Sequence, residues 1–167
     1  MKKAGAVFLV GLMLVLMSEI TYAQQSGFGV GAIISGANGV NSGPTGLSYK
    51  AWIDQRVAIG GAVALQFGDG LDLFYTQADV EVHSKNLFSS NNPMPTSLNL
   101  YYGGGVGLGF YDQNVADTVD LRGVIGTTYS FEDAPMDLFF ELAPTIRVVN
   151  STRFFFNGSL GFRYFIN

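Results

Sequence analysis

The only histidine of the chain, His83, closes a run in which Tyr75, Gln77, Asp79, Glu81 and His83 alternate with Phe74, Thr76, Ala78, Val80 and Val82. Residues two apart on an extended chain share a face, so an imidazole and two carboxylates stand in one row. Such a set could ligate a metal ion or act as a general base. Ser84 and Ser48 are the hydroxyls such a base could activate, yet no spacing fixes either beside it. The sequence therefore assigns no catalytic, cofactor-binding or metal-binding residue.

The same parity places Lys50, Asp54, Asp79, Glu81, Arg122, Glu141, Arg147 and Arg163 on the polar faces of their segments, together with Trp52. The remaining positions on those faces are small, including Gly29, Gly31, Gly60, Ala62, Ala64, Gly103, Gly105, Gly107 and Gly109. Small residues on some segments leave room for long charged side chains from others. If these faces turn inward, an unpaired charge there is costly. Lys50, Asp79, Glu81, Arg122, Glu141, Arg147 and Arg163 are therefore expected to form an interior salt-bridge network. The functional alternative for the same residues is a proton or small-solute path, or a binding site. Trp52 could stack on a ligand, but filling a narrow interior suits it better. The glycines from Gly103 to Gly109 lack the following Lys-Ser/Thr and the helix of a phosphate loop, and no nucleotide site is assigned.

The elements that must position these residues are strands. Eight segments of period-2 alternation lie near 28–35, 47–54, 57–67, 73–83, 98–111, 119–131, 136–149 and 154–166. Turn chemistry separates them, as in Gly36-Ala37-Asn38-Gly39, Gly68-Asp69-Gly70, Asp112-Gln113-Asn114 and Glu132-Asp133-Ala134-Pro135. Pro144 falls inside a strand and requires a bulge or a local break in pairing.

The opposite faces are oily. Val63, Leu65, Val80, Leu100, Tyr102, Val106, Leu108, Ile125, Leu142, Ile146, Leu160 and Phe162 fall there. Aromatics gather toward the strand ends, with Phe67, Phe74, Phe110, Phe154 and Phe156 at one rim and Phe28, Tyr129, Phe131, Phe140 and Tyr164 at the other. A soluble sandwich with inward aromatics would not sort them so. Two aromatic girdles around an aliphatic band suit a barrel that crosses a membrane.

The first residues read as an export signal. Lys2 and Lys3 precede the apolar run Ala4–Met17, and Thr21-Tyr22-Ala23 offers a small-x-small cleavage site. Residues 1–23 are expected to be a cleaved leader and 24–167 the barrel domain. Removing the leader takes two of 9 basic and one of 13 acidic residues, leaving 7 − 12 = −5. That balance argues against nucleic acid. With no cysteine, the chain carries no disulfide, thiolate metal site or lipoprotein anchor. Charged residues are only 13%, about half the usual share, which is poor composition for a wet surface and good for one facing lipid.

From about Gly27 onward the chain resembles the small outer-membrane β-barrel proteins of Gram-negative-type bacteria, typified by the OmpX-like and OmpA-transmembrane barrels. Leu98–Phe110, Glu132–Pro144 and the ending Gly161–Asn167 carry the resemblance. It implies an all-β, eight-stranded antiparallel transmembrane barrel, wound as an up-and-down meander and located in the cell outer membrane. It also implies the lipid bilayer and the barrel assembly machinery as partners. Phe162 and Tyr164 match the alternating aromatics of the terminal strand that this machinery reads. Ile166 stands in place of the final aromatic, with Asn167 beyond it.

With both termini in the periplasm, 36–45, 68–72, 111–118 and 150–153 are expected outside the cell, and 54–56, 84–97 and 132–135 inside the periplasm. The long 84–97 segment fits poorly where turns are normally short. The role expected is structural or interactive, through loops that meet an extracellular ligand or host protein. The alternatives are a lipid-modifying outer-membrane enzyme or a narrow pore. The enzyme would need its nucleophile and base facing lipid at the outer leaflet, whereas His83 is expected at the opposite rim, facing inward. A carrier barrel would need an oily interior, the reverse of this pattern. Asn150-Ser151-Thr152 is a formal glycosylation acceptor without meaning behind a bacterial-type leader.

Overall fold

The computed structural model describes residues 27–37, 45–66, 73–84, 98–111, 117–131 and 134–166. The expected leader, most of the connections 36–45 and 111–118, and all of 68–72 and 85–97 lie outside the described residues. The described chain forms eight strands: β1 (Phe28–Ala37), β2 (Gly46–Trp52), β3 (Val57–Gln66), β4 (Leu73–Ser84), β5 (Leu98–Tyr111), β6 (Thr118–Ser130), β7 (Met136–Arg147) and β8 (Arg153–Ile166). Each pairs antiparallel with its sequence neighbours. β1 also pairs with β8, from Phe28 opposite Ile166 to Ala37 opposite Asn157, and the barrel closes. The protein is an all-antiparallel, up-and-down, closed barrel. Among the described residues there is no helix.

Closure leaves no sheet edge, so every strand has one face inside and one outside. The exterior positions expected from parity are exterior: Leu65, Val80, Tyr102, Ile125, Leu142 and Leu160 are among the most exposed large apolar residues. The interior faces bury both small and aromatic side chains. Ala62 and Ala143 are fully buried, as are Tyr101, Phe139 and Phe155 nearly so. The expectation that the other inward positions are small is thus corrected: Tyr75, Tyr101, Phe139 and Phe155 also fill the interior.

Two details come from the strand ends and from Pro144. Strand β2 ends at Trp52 because the amides of Ile53 and Asp54 both donate to the Val57 carbonyl, at 2.9 and 3.1 Å. That tight turn carries Asp54 out of the alternation. The expectation that Asp54 faces the interior is therefore corrected: it is exposed in the 53–56 turn. At Pro144 the β6–β7 ladder is interrupted between Arg122 opposite Thr145 and Ile125 opposite Leu142, with the register unchanged across the gap. Pro144 still pairs with Phe156 of β8. Proline has no amide to donate, and the ladder breaks on one side without a bulge.

Candidate functional site

The interior side chains form three ionic levels along the barrel. At the end that holds the β2–β3 turn, Lys50 Nζ lies 2.7 Å from Glu81 Oε2, and His83 Nε2 lies 3.0 Å from the same oxygen. His83 sits between aromatic rings, 4.5 Å from Trp52 and stacked 5.0 Å from Tyr101. The Lys50 ammonium faces both rings, at 5.1 and 5.0 Å from their centroids. Beside them Arg163 Nε donates to Asp137 Oδ1 at 3.0 Å, and its guanidinium covers the Phe139 ring at 4.0 Å.

The middle level is built on Arg122. Its Nε donates to Asp79 Oδ1 at 2.9 Å, its Nη2 to Glu141 Oε1 at 2.6 Å, and its Nη1 to Gln77 Oε1. The Tyr101 hydroxyl donates to Glu141 Oε2 at 3.1 Å. At the other end Arg147 Nε donates to Asp120 Oδ1 at 2.9 Å, with the Tyr75 hydroxyl donating to Asp120 Oδ2 at 3.4 Å. Arg147 is the least enclosed of these, with 16% of its side chain exposed.

Parity alone brings Lys50, Asp79, Glu81, Arg122, Glu141, Arg147 and Arg163 to the inner face, and each makes an ion pair there. Sequence reasoning missed two of the acidic partners. Asp120 is 1% exposed and Asp137 is 2% exposed. Both were within reach of the same rule, since Asp120 stands two residues before Arg122 and Asp137 four before Glu141. Their partners, Arg147 and Arg163, lie directly opposite on the next strand.

Glycine explains how bonds between strands that are not neighbours are made. Arg122 and Asp79 are not on neighbouring strands: both pair with Gly105 of β5, which lies between them. A methyl at Gly105 would fall 2.6 Å from the Asp79 Cα and crowd its carboxylate. Lys50 reaches Glu81 over Gly60 of β3, and Tyr101 reaches Glu141 over Gly126 of β6. Tyr75 reaches Asp120 over Gly107 of β5. Each of these long bonds skips one strand, and a glycine on the skipped strand opens the gap.

Gly60→Ala tests this directly, because the three atoms nearest to an added methyl all belong to the Glu81 carboxylate. The new methyl displaces the carboxylate from Lys50 and His83, leaving buried polar groups unsatisfied. The expected cost is roughly 1–3 kcal/mol in denaturant unfolding. An unchanged midpoint would show that the gap over Gly60 does not matter.

The outer surface carries two further observations. Tyr49 lies across Gly61 and its hydroxyl donates to the Gln77 carbonyl at 2.8 Å. Thr127 likewise turns its hydroxyl onto the Asn99 carbonyl at 3.2 Å. The aromatic rims hold paired rings: Phe74–Phe110 at one end and Tyr129–Phe131 at the other, 5.9 and 5.2 Å apart. Phe154 and Phe156 meet edge to face at 4.9 Å. Phe162, Tyr164 and Ile166 of β8 all point outward.

No metal-ligating group of three or more His, Cys, Asp or Glu occurs among the described residues. The fold and interior define the class: a closed, eight-stranded antiparallel β-barrel whose interior is crossed by ion pairs. No protein-family model matches the chain, and no curated protein matches it.

Proposed function

We propose that the protein is an integral outer-membrane β-barrel whose lumen is closed by its own ion pairs, and whose role is structural or interactive through the loops at one end. The observation that carries this reading is the exterior. Every one of the eight strands exposes large apolar side chains, including Ile34 (61%), Leu47 (62%), Leu65 (59%) and Ile125 (57%). Soluble proteins rarely expose contiguous apolar patches beyond a few hundred Å², whereas a lipid-facing belt is apolar all round. The outward hydroxyls of Tyr49 and Thr127 add support, because a donor in hydrocarbon needs a partner within the protein.

The ion-pair levels support a plugged interior, as the narrowness of eight-stranded barrels favours. His83, enclosed by Trp52, Tyr101 and Glu81, fits a packing role better than that of a base acting on lipid. The outward Phe162, Tyr164 and Ile166 suit recognition by the barrel assembly machinery. The loops expected outside the cell would meet an extracellular ligand or a host protein.

Cell fractionation with heat-modifiable gel mobility tests the reading. The expected result is recovery in the outer-membrane fraction, with unheated protein migrating differently from boiled protein. Recovery in the soluble fraction with no mobility shift would overturn it. Planar-bilayer recordings of the purified barrel are expected to show no steady conductance.

A further inference from the structure

We infer that the β7–β8 turn, residues 148–152, lies against the lipid of the outer leaflet instead of projecting into water. This rests on the membrane reading above and extends the lipid contact beyond the strand ends. Two turns between strands are fully described. The 53–56 turn carries Asp54 and Arg56, both exposed. The 148–152 turn is Val-Val-Asn-Ser-Thr and has no charged residue. Its leading valines are 45% and 40% exposed.

That apolar surface extends the belt from the β7 side, and the exposed Asn150, Ser151, Thr152 and Arg153 separate it along the chain from the aromatics of β8. Ile146 precedes it on β7, and the Phe154–Phe156 pair follows it on β8, all exposed. The turn is also held in place. The Val148 amide donates to the Val119 carbonyl at 2.9 Å, and the Asn150 side-chain amide donates to the Asp117 carbonyl. Asn150 adopts a left-handed backbone with φ of 68°, which asparagine accepts more readily than most residues. Its one amide side chain is thus turned back on the barrel, and the valines are left presented. A pinned turn that shows valine and satisfies its own amide suits acyl chains and the glycerol region, not bulk water.

The chain contains no cysteine, so single nitroxide labels can be placed without altering a background. Val149→Cys, Ile125→Cys and Gln55→Cys would each be labelled in phosphatidylethanolamine/phosphatidylglycerol vesicles, after a mobility assay confirms folding. Collision with lipid-soluble oxygen is compared with collision with a water-soluble nickel chelate. The label at 149 is expected to match that at 125, with an oxygen-to-nickel ratio several-fold above that at 55. A water-exposed 149 beside a lipid-exposed 125 would overturn the inference and leave the membrane reading standing. Water exposure at both 149 and 125 would overturn the two together.

Discussion

Arg122→Ala is expected to destabilise the barrel by about 3–5 kcal/mol, the usual cost of removing one partner from a buried ion pair. Arg122 donates to both Asp79 and Glu141, and also to Gln77. Its loss leaves two carboxylates facing each other across a space the guanidinium had filled. Thermal unfolding of the folded protein in detergent would read the effect. The control is a triple variant, Arg122→Met with Asp79→Leu and Glu141→Leu. Replacing a whole buried ionic set by apolar residues is often neutral or stabilising, so the triple variant should recover most of the loss. A single variant that melts like the wild type would remove the claim that this level holds the interior together. A triple variant as damaged as the single one would assign the loss to packing instead of charge.

The second large effect is expected on the opposite face. Ile125 stands near the middle of β6 and is 57% exposed. On a soluble protein, a substitution at so open a position would change stability within about 0.5 kcal/mol. Facing the bilayer midplane, Ile125→Arg is expected to cost about 2–4 kcal/mol. The two environments predict different magnitudes for one substitution, so unfolding in lipid vesicles distinguishes them. A cost near zero in vesicles would be incompatible with a lipid-facing β6.

The strands, and the faces of most of their residues, were legible because alternation is a local signal. A one-residue error in phase would have turned Val80 inward and Asp79 outward. Where the alternation stops was less legible. Asp54 has the parity of Lys50 and Trp52, but a pair of amide bonds to Val57 ends β2 before that parity applies. Partnerships were not legible from any single strand. The pairing of Arg147 with Asp120, and of Arg163 with Asp137, depends on registers between β6, β7 and β8. The glycines show the same divide. Their abundance announced interior space, but only the registers reveal that Gly60, Gly105, Gly107 and Gly126 lie beneath particular bonds.

Pro144 shows the physics working in both directions. A proline in a strand dictates a missing ladder bond, and the β6–β7 ladder is interrupted beside it. Its neighbour across the gap is Gly123, where an added methyl would make ordinary contact, 3.5 Å from the Pro144 ring. The sequence alone could not choose between a bulge and a break. The unchanged register on both sides of the gap decides for a break.

The central claim is that apolar rows meet acyl chains while ionic rows are enclosed. Magnetisation transfer between lipid acyl protons and methyl groups, measured by NMR on the barrel in lipid nanodiscs, tests it without altering a residue. Cross-peaks to acyl chains are expected for Val80, Leu121, Ile125 and Leu142, all exposed, and none for the enclosed Ile33, Ala62, Val124 and Ala143. Water cross-peaks in place of acyl cross-peaks at Val80, Leu121, Ile125 and Leu142 would contradict the account.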